Sequence, residues 1–495
     1  MNNTKILLVY PKYPDTFWSF KHALPFISKK AAFPPLGLLT IAAMLPLNWD
    51  IKLVDLNVEE LTDQQIKWAD LVFISAMLVQ KNNAQEIILR CKQSGKLVVA
   101  GGPAFTTEPG KFKGVDHFVL GEAEITLAPF LNDLVQGIAK SVYSSEDKPD
   151  LKKTPIPRWS LINFANYATM AIQFSRGCPF NCDFCDITKM YGRTPRTKTP
   201  EQIVVEVQSL YDAGWKGSIF FVDDNFIGNK RKVKEMLPQL INWQQKHGHP
   251  FPLFTEASIN LALDEELMRL MGAANFNKVF VGIESPNEAS LKECGKIQNT
   301  KIDLKKAVRI IHQHGLQVMG GFIVGFDQDD RNVFALITDF IQSSGIVTAM
   351  VGILNALPQT RLWQRLQAEN RLISDTTGEN TDGYLNFIPK MGKNNLVEGY
   401  KKMVAELYAP RFYYKRIHTF LKNYRPLARV MISRGEIKAL FRSVWLIGIF
   451  SRSGLYYWKL ILKTLFTNPR SLHTAIEMAI FGWHFRKVTE NIKNL

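Results

Sequence analysis

Three of the five cysteines in this 495-residue chain lie within the segment SRGCPFNCDFCD. They are Cys178, Cys182 and Cys185, spaced as C-x3-C-x2-C, whereas Cys91 and Cys294 stand alone in stretches with helical patterns. A structural zinc site usually takes four protein ligands, commonly as two separated pairs. Three clustered thiols better suit an iron-sulfur cluster in which three irons carry thiolate ligands and the fourth stays open to a substrate or cosubstrate. A zinc site and a purely electron-transferring cluster are the alternatives.

Three further motifs end strand-like apolar runs. FFVDDNF, Phe220–Phe226, carries two carboxylates and an amide, VFVGIES, Val279–Ser285, carries one carboxylate, and GFIVGFD, Gly321–Asp327, carries two glycines. Carboxylates and amide carbonyls are suitable acceptors for an ammonium group, and glycine allows close approach to the backbone. Each motif alone is weak evidence, but their order and placement along the chain predict one binding site.

The elements that must position these residues form a series of strand and helix patterns in the centre of the chain. Helical stretches such as Pro200–Ala213 and Ile302–His314 separate the strands. The predicted strands are Met170–Ser175, Ser218–Asp223, Leu253–Ala257, Lys278–Ile283, Gln317–Val324 and Thr348–Leu354. Six such units predict a partial or full parallel barrel, with the cysteines just after its first strand.

A second series of parallel strands occupies the first third of the chain. Near-continuous apolar runs separated by helix-length segments predict a doubly wound α/β domain, with a ligand crevice beyond the carboxyl ends of the strands. The predicted strands are Lys5–Pro11, Ile51–Asn57, Ala69–Ala76, Lys96–Gly102 and His117–Glu122. The proline-rich run EDKPDLKKTPIPRW, Glu146–Trp159, predicts a linker between the two units.

The central region resembles the radical S-adenosylmethionine (radical SAM) superfamily, whose hallmark is C-x3-C-x2-C after the first strand of a (βα)6 partial TIM barrel. The resemblance covers Tyr167 to Tyr384 and includes the aromatic Phe184 before the third cysteine. It implies a 4Fe-4S cluster on Cys178, Cys182 and Cys185, with SAM on the open iron. The motif at the second strand differs from the usual Gly-Gly-Glu sequence of the family. The residue that accepts hydrogen bonds from the SAM ammonium is therefore left open. The SAM contacts implied are Asp223, Asp224, Asn225, Glu284, Gly321 and Gly325.

A doubly wound domain before such a barrel resembles the Rossmann-like cobalamin-binding domain of class B, or B12-dependent, radical SAM enzymes. Matching features are PPLGLLTIAAMLP (34–46), AGGP (100–103) and LGEAE (120–124). The cobalamin contacts implied are Ser75, Gly101, Gly102, Gly121, Glu122 and Glu124. The D-x-H-x-x-G motif is missing, so we expect no histidine on the cobalt's lower face and expect Met77–Lys81 beneath it. A nucleotide-binding or ligand-free Rossmann domain is the alternative.

The loop PKYPDTFWSFKHALPF, Pro11–Phe26, resembles that of the hopanoid C-2 methylase group and its relatives, which share this domain order and a similar C-terminal extension. Its aromatic residues suit either core packing or contact with a substrate. We expect the domains at 1–145 (cobalamin-binding), 146–166 (linker), 167–384 (radical SAM) and 385–495 (helical and basic).

The formal charge of +16 is concentrated in that last region, because Tyr400–Leu495 holds 18 Lys+Arg against 4 Asp+Glu. Basic and aromatic residues alternate in RFYYKR (411–416), FLKNYRPLAR (420–429) and LYYWKLILKTLF (455–466). This pattern suits amphipathic helices on an anionic membrane surface, a helical lid with a solvated basic face, or RNA. Nucleic acid is the least favoured, since no RNA-binding module is recognised. No apolar run reaches the roughly 18 residues of a membrane span.

These features predict a cobalamin-dependent radical SAM methyltransferase that acts on an unactivated carbon through a 5′-deoxyadenosyl radical and methylcobalamin. The substrate expected is a small, lipid-like molecule, and the electron donor is a protein such as flavodoxin or ferredoxin. The segment MNNTKILLVYP lacks the features of a signal peptide and the cysteine usage fits a reducing compartment, so we expect a cytoplasmic protein, with peripheral membrane contact through the C-terminal domain. The alternatives are a non-methylating B12-dependent radical SAM cyclase or oxidase, and a cobalamin and iron-sulfur sensor without turnover.

Overall fold

The computed structural model describes residues 4–426 and 434–493. Its first unit is a six-stranded, wholly parallel sheet of order β2-β1-β3-β4-β5-β6. The strands are β1 Lys5–Tyr10, β2 Asp50–Asp55, β3 Leu71–Ser75, β4 Leu97–Gly101, β5 His117–Val119 and β6 Val142–Tyr143. The helices are α1 Leu36–Met44, α2 Asp63–Trp68, α3 Lys81–Gln93, α4 Pro103–Thr107 and α5 Ala123–Gln136.

Both faces of this sheet are buried, as its near-continuous apolar strands require. Alternate residues of β1 enter different hydrophobic clusters: Ile6 and Leu8 join one, and Leu7 and Val9 join the other. The five predicted strands are present, with ends that differ from the predicted ones by at most three residues. The two-residue edge strand β6 was not predicted, because it is too short to leave an apolar run in the sequence.

The second unit is also a six-stranded parallel sheet, in which the strands follow one another in sequence order from β7 to β14. Its edges, β7 and β14, are not paired with each other, so the barrel is open. The strands are β7 Thr169–Ile172, β10 Ser218–Phe221, β11 Leu253–Ala257, β12 Phe276–Glu284, β13 Gln317–Val324 and β14 Ala349–Ile353. The predicted (βα)6 partial barrel is therefore confirmed.

The helices of this unit begin with local signals that the sequence carries. At the start of α7, Thr199 and Gln202 form a reciprocal capping box and Pro200 occupies the first turn. The helices are α6 Ile187–Tyr191, α7 Pro200–Asp212, α8 Lys230–Lys246, α9 Glu265–Ala273, α10 Glu288–Glu293, α11 Ile297–Thr300, α12 Leu304–Gln313, α13 Val333–Ser344 and α14 Arg361–Ala368. A short antiparallel pair, β8 Ser175–Arg176 and β9 Arg196–Thr197, flanks the cysteine segment.

The C-terminal region is helical, as predicted. It consists of α15 Lys393–Leu407, α16 Pro410–Asn423, α17 Arg434–Ser443, a π-helical turn at Val444–Ile449, α18 Gly454–Thr467 and α19 Leu472–Lys493. The Tyr413 hydroxyl donates to the Met478 carbonyl over 2.7 Å, which joins α16 to α19. Among the described residues, no helix is long and apolar enough to cross a membrane. The end of the basic stretch 420–429 lies outside the described residues.

The two sheets are joined by a buried polar contact and by backbone pairing. The Tyr167 hydroxyl donates to Asp55 at the end of β2 over 3.0 Å, and Ala31 forms a parallel bridge with Tyr167. The connecting segment packs against the first unit, since Trp159 is buried and the Arg158 amide donates to the Leu39 carbonyl. The carboxyl ends of the two sheets consequently meet.

Candidate active site between the two sheets

A cavity of about 850 Å³ lies where the two sheets meet. The first sheet lines it with residues after β3, β4 and β5, and the barrel lines it with Val222 after β10 and Ile323 of β13. In both sheets these residues lie at the carboxyl ends of the strands, where parallel sheets bind ligands. The cysteine segment reaches this cavity through Phe184.

Gly177 sets the entry to the cysteine segment. Its φ of +95° is in the region that favours glycine, and an added Cβ would lie 2.9 Å from the Gly192 carbonyl oxygen. Its amide donates to an Asp224 carboxylate oxygen over 2.9 Å. The backbone before Cys178 is therefore fixed by a residue that comes after the second barrel strand.

The three clustered thiols are partly or fully buried, and burial raises the pKa of Cys178, Cys182 and Cys185. They are therefore protonated near neutral pH without metal, so metal binding must release protons. Within residues 4–426 and 434–493, no three His, Cys, Asp or Glu side chains form a group that could hold one metal ion. A cluster places each thiolate on a different iron, so this donor set fits an iron-sulfur cluster better than zinc.

Asp223 is engaged with the backbone in front of the cysteines. Its carboxylate accepts from the amides of Phe174 and Ser175, each over 2.8 Å, and from the Ser175 hydroxyl over 2.7 Å. Burial, and then the nearby charge of Asp224, raise the pKa of Asp223 to about 7 despite these bonds. Burial likewise raises the pKa of Asp224 to about 6. Both residues position the cysteine segment, and their contacts with the SAM ammonium stay a prediction.

Asn225 connects the same strand end to a thiol. Its side-chain amide lies 3.8 Å from the Cys178 sulfur, and its carbonyl oxygen accepts from the Ser258 amide over 3.2 Å. The motif at Phe220–Phe226 thus surrounds the first cysteine with polar groups. Sequence spacing could not show this, because the two segments are more than 40 residues apart.

Glu284 forms an ion pair that the sequence did not predict. Its carboxylate lies 2.6 Å from the Lys296 ammonium, and its own φ is +63°. Burial alone would lower the pKa of Lys296, but the charges of Glu284 and of the Cys182 and Cys185 thiolates raise it. Lys296 is therefore a permanent positive charge beside the cluster site.

The two glycines predicted to pack on adenine are also required by packing inside the protein. An added Cβ at Gly321 would lie 2.7 Å from the Phe280 ring, and one at Gly325, where φ is +109°, would lie 2.9 Å from Leu396. Neither glycine lines the cavity described above, although Ile323 between them does. The adenine contact stays a prediction.

All six residues predicted to contact cobalamin line the cavity. Gly101 and Gly102 leave no room for a side chain, since a Cβ would lie 2.7 Å from the Val119 carbonyl oxygen and 2.5 Å from the Ser75 hydroxyl, respectively. Gly121 has a φ of +74° and its amide donates to Thr106. Such a wide, glycine-walled cradle at strand ends fits a large planar cofactor.

Glu122 and Glu124 form a buried ionic network that sequence reasoning missed. Arg176, two residues before Cys178, lies 2.9 Å from Glu122 and 2.8 Å from Glu124. Arg196 lies 2.8 Å from the other oxygen of Glu122. We call these four charged residues the junction network, because they connect the first sheet directly to the cysteine segment. In the sequence, the two glutamates after β5 gave no indication that their ion-pair partners lie in the cysteine segment.

No histidine lines the cavity in the described part of the chain. Met77 and Val79 from the predicted lower-face segment do line it. The Gln80 side chain is buried and turned away, accepting from the Met77 amide over 2.7 Å. The identity of the group beneath cobalt stays a prediction.

The aromatic loop after β1 places one residue in the core and another at the cavity, and its contact with a substrate stays a prediction. Phe17 is buried and packs against Phe485 of α19, with ring centroids 5.6 Å apart. Trp18 is 41% exposed, lines the cavity and packs against Phe280 of the barrel at 4.7 Å. The loop therefore joins the C-terminal helices to the wall of the cavity.

Glu256 is a second cavity residue that the sequence analysis did not single out. It is the fourth of the five residues of β11, near the carboxyl end of the strand. It lines the cavity, where burial, followed by the charges of Asp224 and Asp223, raises its pKa to about 8. It is a neutral acid at neutral pH. The sequence signal for this residue was a charged side chain inside the apolar pattern LFTEA. Alternate residues of a barrel strand point inward, so such a charge can lie inside the barrel.

Comparison with family models divides the chain in the same order as the fold. Residues 27–131 match the B12 binding domain, residues 172–340 match the radical SAM superfamily, and residues 360–495 match a domain of unknown function, DUF4070. The first match covers β2 to β5, the second covers β10 to β13, and the third covers the C-terminal helices α15 to α19.

Two curated relatives align with almost the whole chain. An uncharacterized methyltransferase of Synechocystis sp. is 41% identical over 99% of this chain and 92% of its own length. The hopanoid C-2 methylase of Rhodopseudomonas palustris is 36% identical over 93% of this chain and 89% of its own length.

Solved structures agree on the fold. The cobalamin-dependent SAM radical enzyme OxsB, with aqua-cobalamin bound, is similar over 99% of this chain and 80% of its own, with a TM-score of 0.64 and 15% identity. The radical SAM methyltransferase TsrM from Kitasatospora setae, with cobalamin and a [4Fe-4S] cluster, is similar over 76% of this chain and 79% of its own, with a TM-score of 0.58 and 16% identity. The chain belongs to the cobalamin-dependent, class B radical SAM methyltransferases, with a 4Fe-4S cluster, SAM and cobalamin as its cofactors.

Proposed function

We propose that this enzyme methylates an unactivated carbon of a lipid-like small molecule. The observation that carries the proposal is the single cavity that extends from the cobalamin cradle to Phe184 beside the cysteines. Between these ends its wall is formed by apolar residues such as Phe33, Phe220 and Leu354. The 36% identity to a hopanoid C-2 methylase supports the same substrate class.

The overall change replaces one C–H bond of the substrate with a C–CH3 bond. When bound, the cluster with SAM supplies a radical that removes hydrogen, and cobalamin supplies the methyl group. The hydrogen leaves in 5′-deoxyadenosine, two molecules of SAM are consumed, and two electrons come from a low-potential donor such as flavodoxin or ferredoxin. The residues of the chain therefore have to position groups and exclude water rather than activate the carbon.

The residues that hold the cluster and SAM are grouped around the end of the second barrel strand. Cys178, Cys182 and Cys185 provide the thiolates, and Lys296 balances their negative charge. We assign the ammonium, ribose and adenine contacts of SAM to the residues predicted from sequence: Asp223, Asp224, Asn225, Glu284, Gly321 and Gly325. Because both oxygens of Asp223 accept hydrogen bonds within the protein, whereas one oxygen of Asp224 accepts from the Gly177 amide, Asp224 is the better placed of the two carboxylates to meet SAM.

Cobalamin is assigned to the glycine-walled cradle lined by Ser75, Gly101, Gly102 and Gly121. Glu122 and Glu124 line the same cradle while they bind Arg176. We therefore propose that their main task is to set the separation of the two cofactors. Glu256, a neutral acid in the cavity wall, can donate a hydrogen bond to a polar group of the substrate.

The experiment compares lipid extracts from cells with and without the gene, followed by assay of the purified, reduced enzyme with the lipid that changes. We expect a product heavier by one CH2, with 5′-deoxyadenosine formed in step, and none of either from a Cys178→Ala variant. A product that has lost two hydrogens or gained oxygen would support a cyclase or oxidase instead. A reduced enzyme that does not cleave SAM would support a sensor without turnover.

A further inference from the structure

Exposed apolar side chains are concentrated on one part of the C-terminal region. Of the 29 large hydrophobic residues that are exposed in the described chain, twelve lie between positions 437 and 466. Phe441, Phe450, Leu455 and Phe466 are each at least 66% exposed. The full set is Ile437, Leu440, Phe441, Trp445, Ile449, Phe450, Leu455, Tyr456, Trp458, Leu462, Leu465 and Phe466. We call this set the α17–α18 face. Both helices contact the π-helical turn between them, and a concentration of exposed apolar side chains on adjoining elements marks an interaction site.

The charge of this segment is of one sign. Positions 437–470 contain six basic residues and no acidic residue. Lys459 and Lys463 are exposed on α18 between the apolar side chains. Apolar side chains surrounded by lysine and arginine are the pattern of helices that lie in the interface of an anionic bilayer.

We propose that the α17–α18 face docks the enzyme onto an anionic lipid bilayer, with its phenylalanine and leucine side chains inserted below the headgroups. The occupant is a membrane rather than RNA, because aliphatic residues such as Leu455 and Leu462 offer nothing to phosphates or bases. The helices lie in the interface, since no described helix is long and apolar enough to cross it.

Hydrogen bonds from α17 connect this face to the loop that borders the cavity. Arg442 of α17 donates to the carbonyl oxygens of Pro25 and Phe26 and, over 2.8 Å, to the Ser28 hydroxyl. These residues end the aromatic loop whose Trp18 lines the cavity. A lipid that leaves the bilayer at this face therefore meets the loop that borders the cavity. This delivery step depends on the proposed lipid-like substrate, whereas docking itself does not.

The test is sedimentation of the full-length protein with vesicles, without SAM or substrate. Vesicles contain either phosphatidylcholine alone or phosphatidylcholine with phosphatidylglycerol. We expect the triple variant Phe441→Ser, Phe450→Ser, Phe466→Ser to bind the anionic vesicles at least tenfold more weakly, because each inserted ring contributes its transfer free energy. A matched triple variant at the equally exposed Leu47, Ile138 and Leu263 should bind like the parent.

A second variant tests the charges. Lys459→Gln with Lys463→Gln should weaken binding to the anionic vesicles by roughly 30-fold, at about 1 kcal/mol per charge, and should leave the weak binding to neutral vesicles unchanged. Docking is overturned if both variants sediment like the parent, or if the matched control loses as much binding. It is also overturned if the phenylalanine variant only converts a dimer to a monomer, or only loses RNA binding. A failed methylation assay affects none of these outcomes.

Discussion

Replacing Glu122 with glutamine tests whether the junction network sets the distance between the two cofactors. The Glu122 side chain is 2% exposed and accepts from Arg176 over 2.9 Å and from Arg196 over 2.8 Å. Glutamine is nearly isosteric but leaves a buried positive charge uncompensated. Losing one partner of a buried ion pair costs about 3–5 kcal/mol; since glutamine keeps one acceptor, we expect a loss of about 2–4 kcal/mol in the free energy of unfolding.

The functional readout is the number of 5′-deoxyadenosine molecules formed per methylated product. The hydrogen bonds that Asp223, Asp224 and Asn225 make with the cysteine segment do not involve Glu122, so the variant should still assemble a cluster and cleave SAM. Because a misplacement of 1 Å can reduce a rate by about 100-fold, we expect the ratio to rise by roughly tenfold or more. The assay combines urea unfolding, iron content and product analysis by liquid chromatography and mass spectrometry.

The control is the exposed ion pair between Arg90 and Asp63, which are 2.5 Å apart in the first unit. Asp63→Asn should leave stability and the product ratio unchanged, because exposed pairs contribute little. If Glu122→Gln matches the parent in both readouts, the junction network does not position the cofactors. If it loses iron as well, the network supports the cysteine segment itself rather than the spacing.

Three further predictions concern the cluster and the cavity. Cys178→Ala should abolish the iron-sulfur absorbance of the reconstituted protein, whereas Cys294→Ala should retain it; equal loss would make Cys294 a ligand. Gly177→Ala should reduce iron content at least twofold because its Cβ would meet a carbonyl oxygen, whereas Gly192→Ala, with positive φ but open space, should reduce it less; equal effects would mean that backbone strain alone matters. Glu256→Gln should melt at the same temperature as the parent apoprotein near pH 4, and at a higher temperature as the pH rises toward 8. The reason is that the folded state keeps the Glu256 proton up to a pKa of about 8, while the unfolded state loses it near 4.5. A difference in melting temperature that stays constant with pH would contradict the raised pKa.

Much of the fold could be predicted because parallel strands buried on both faces leave continuous apolar runs. The runs around Leu253 and Gln317 were located to the residue. The edge strand Val142–Tyr143 left no such signal. Helical character at the C-terminus was likewise readable, but its docking on the aromatic loop depends on contacts more than 400 residues apart, such as that of Phe17 with Phe485.

The sequence predicted where the residues of the candidate site lie more fully than it predicted which residues they contact. The cysteines and the acidic pair Asp223 and Asp224 were placed correctly at strand ends, because strand ends can be read from the pattern. The partners of Glu122 in the cysteine segment could not be predicted, because an isolated arginine in a sequence cannot be distinguished from an exposed surface residue. Lys296 was missed for the same reason.

The contact between Phe17 and Phe485 has a consequence for how the protein is made. The loop that carries Phe17 leaves the ribosome well before its packing partner Phe485 on α19, which is synthesised more than 400 residues later. This wall of the cavity therefore forms only after translation of α19, although both sheets can fold earlier. We therefore expect that the large cofactors can enter their site before this contact is made.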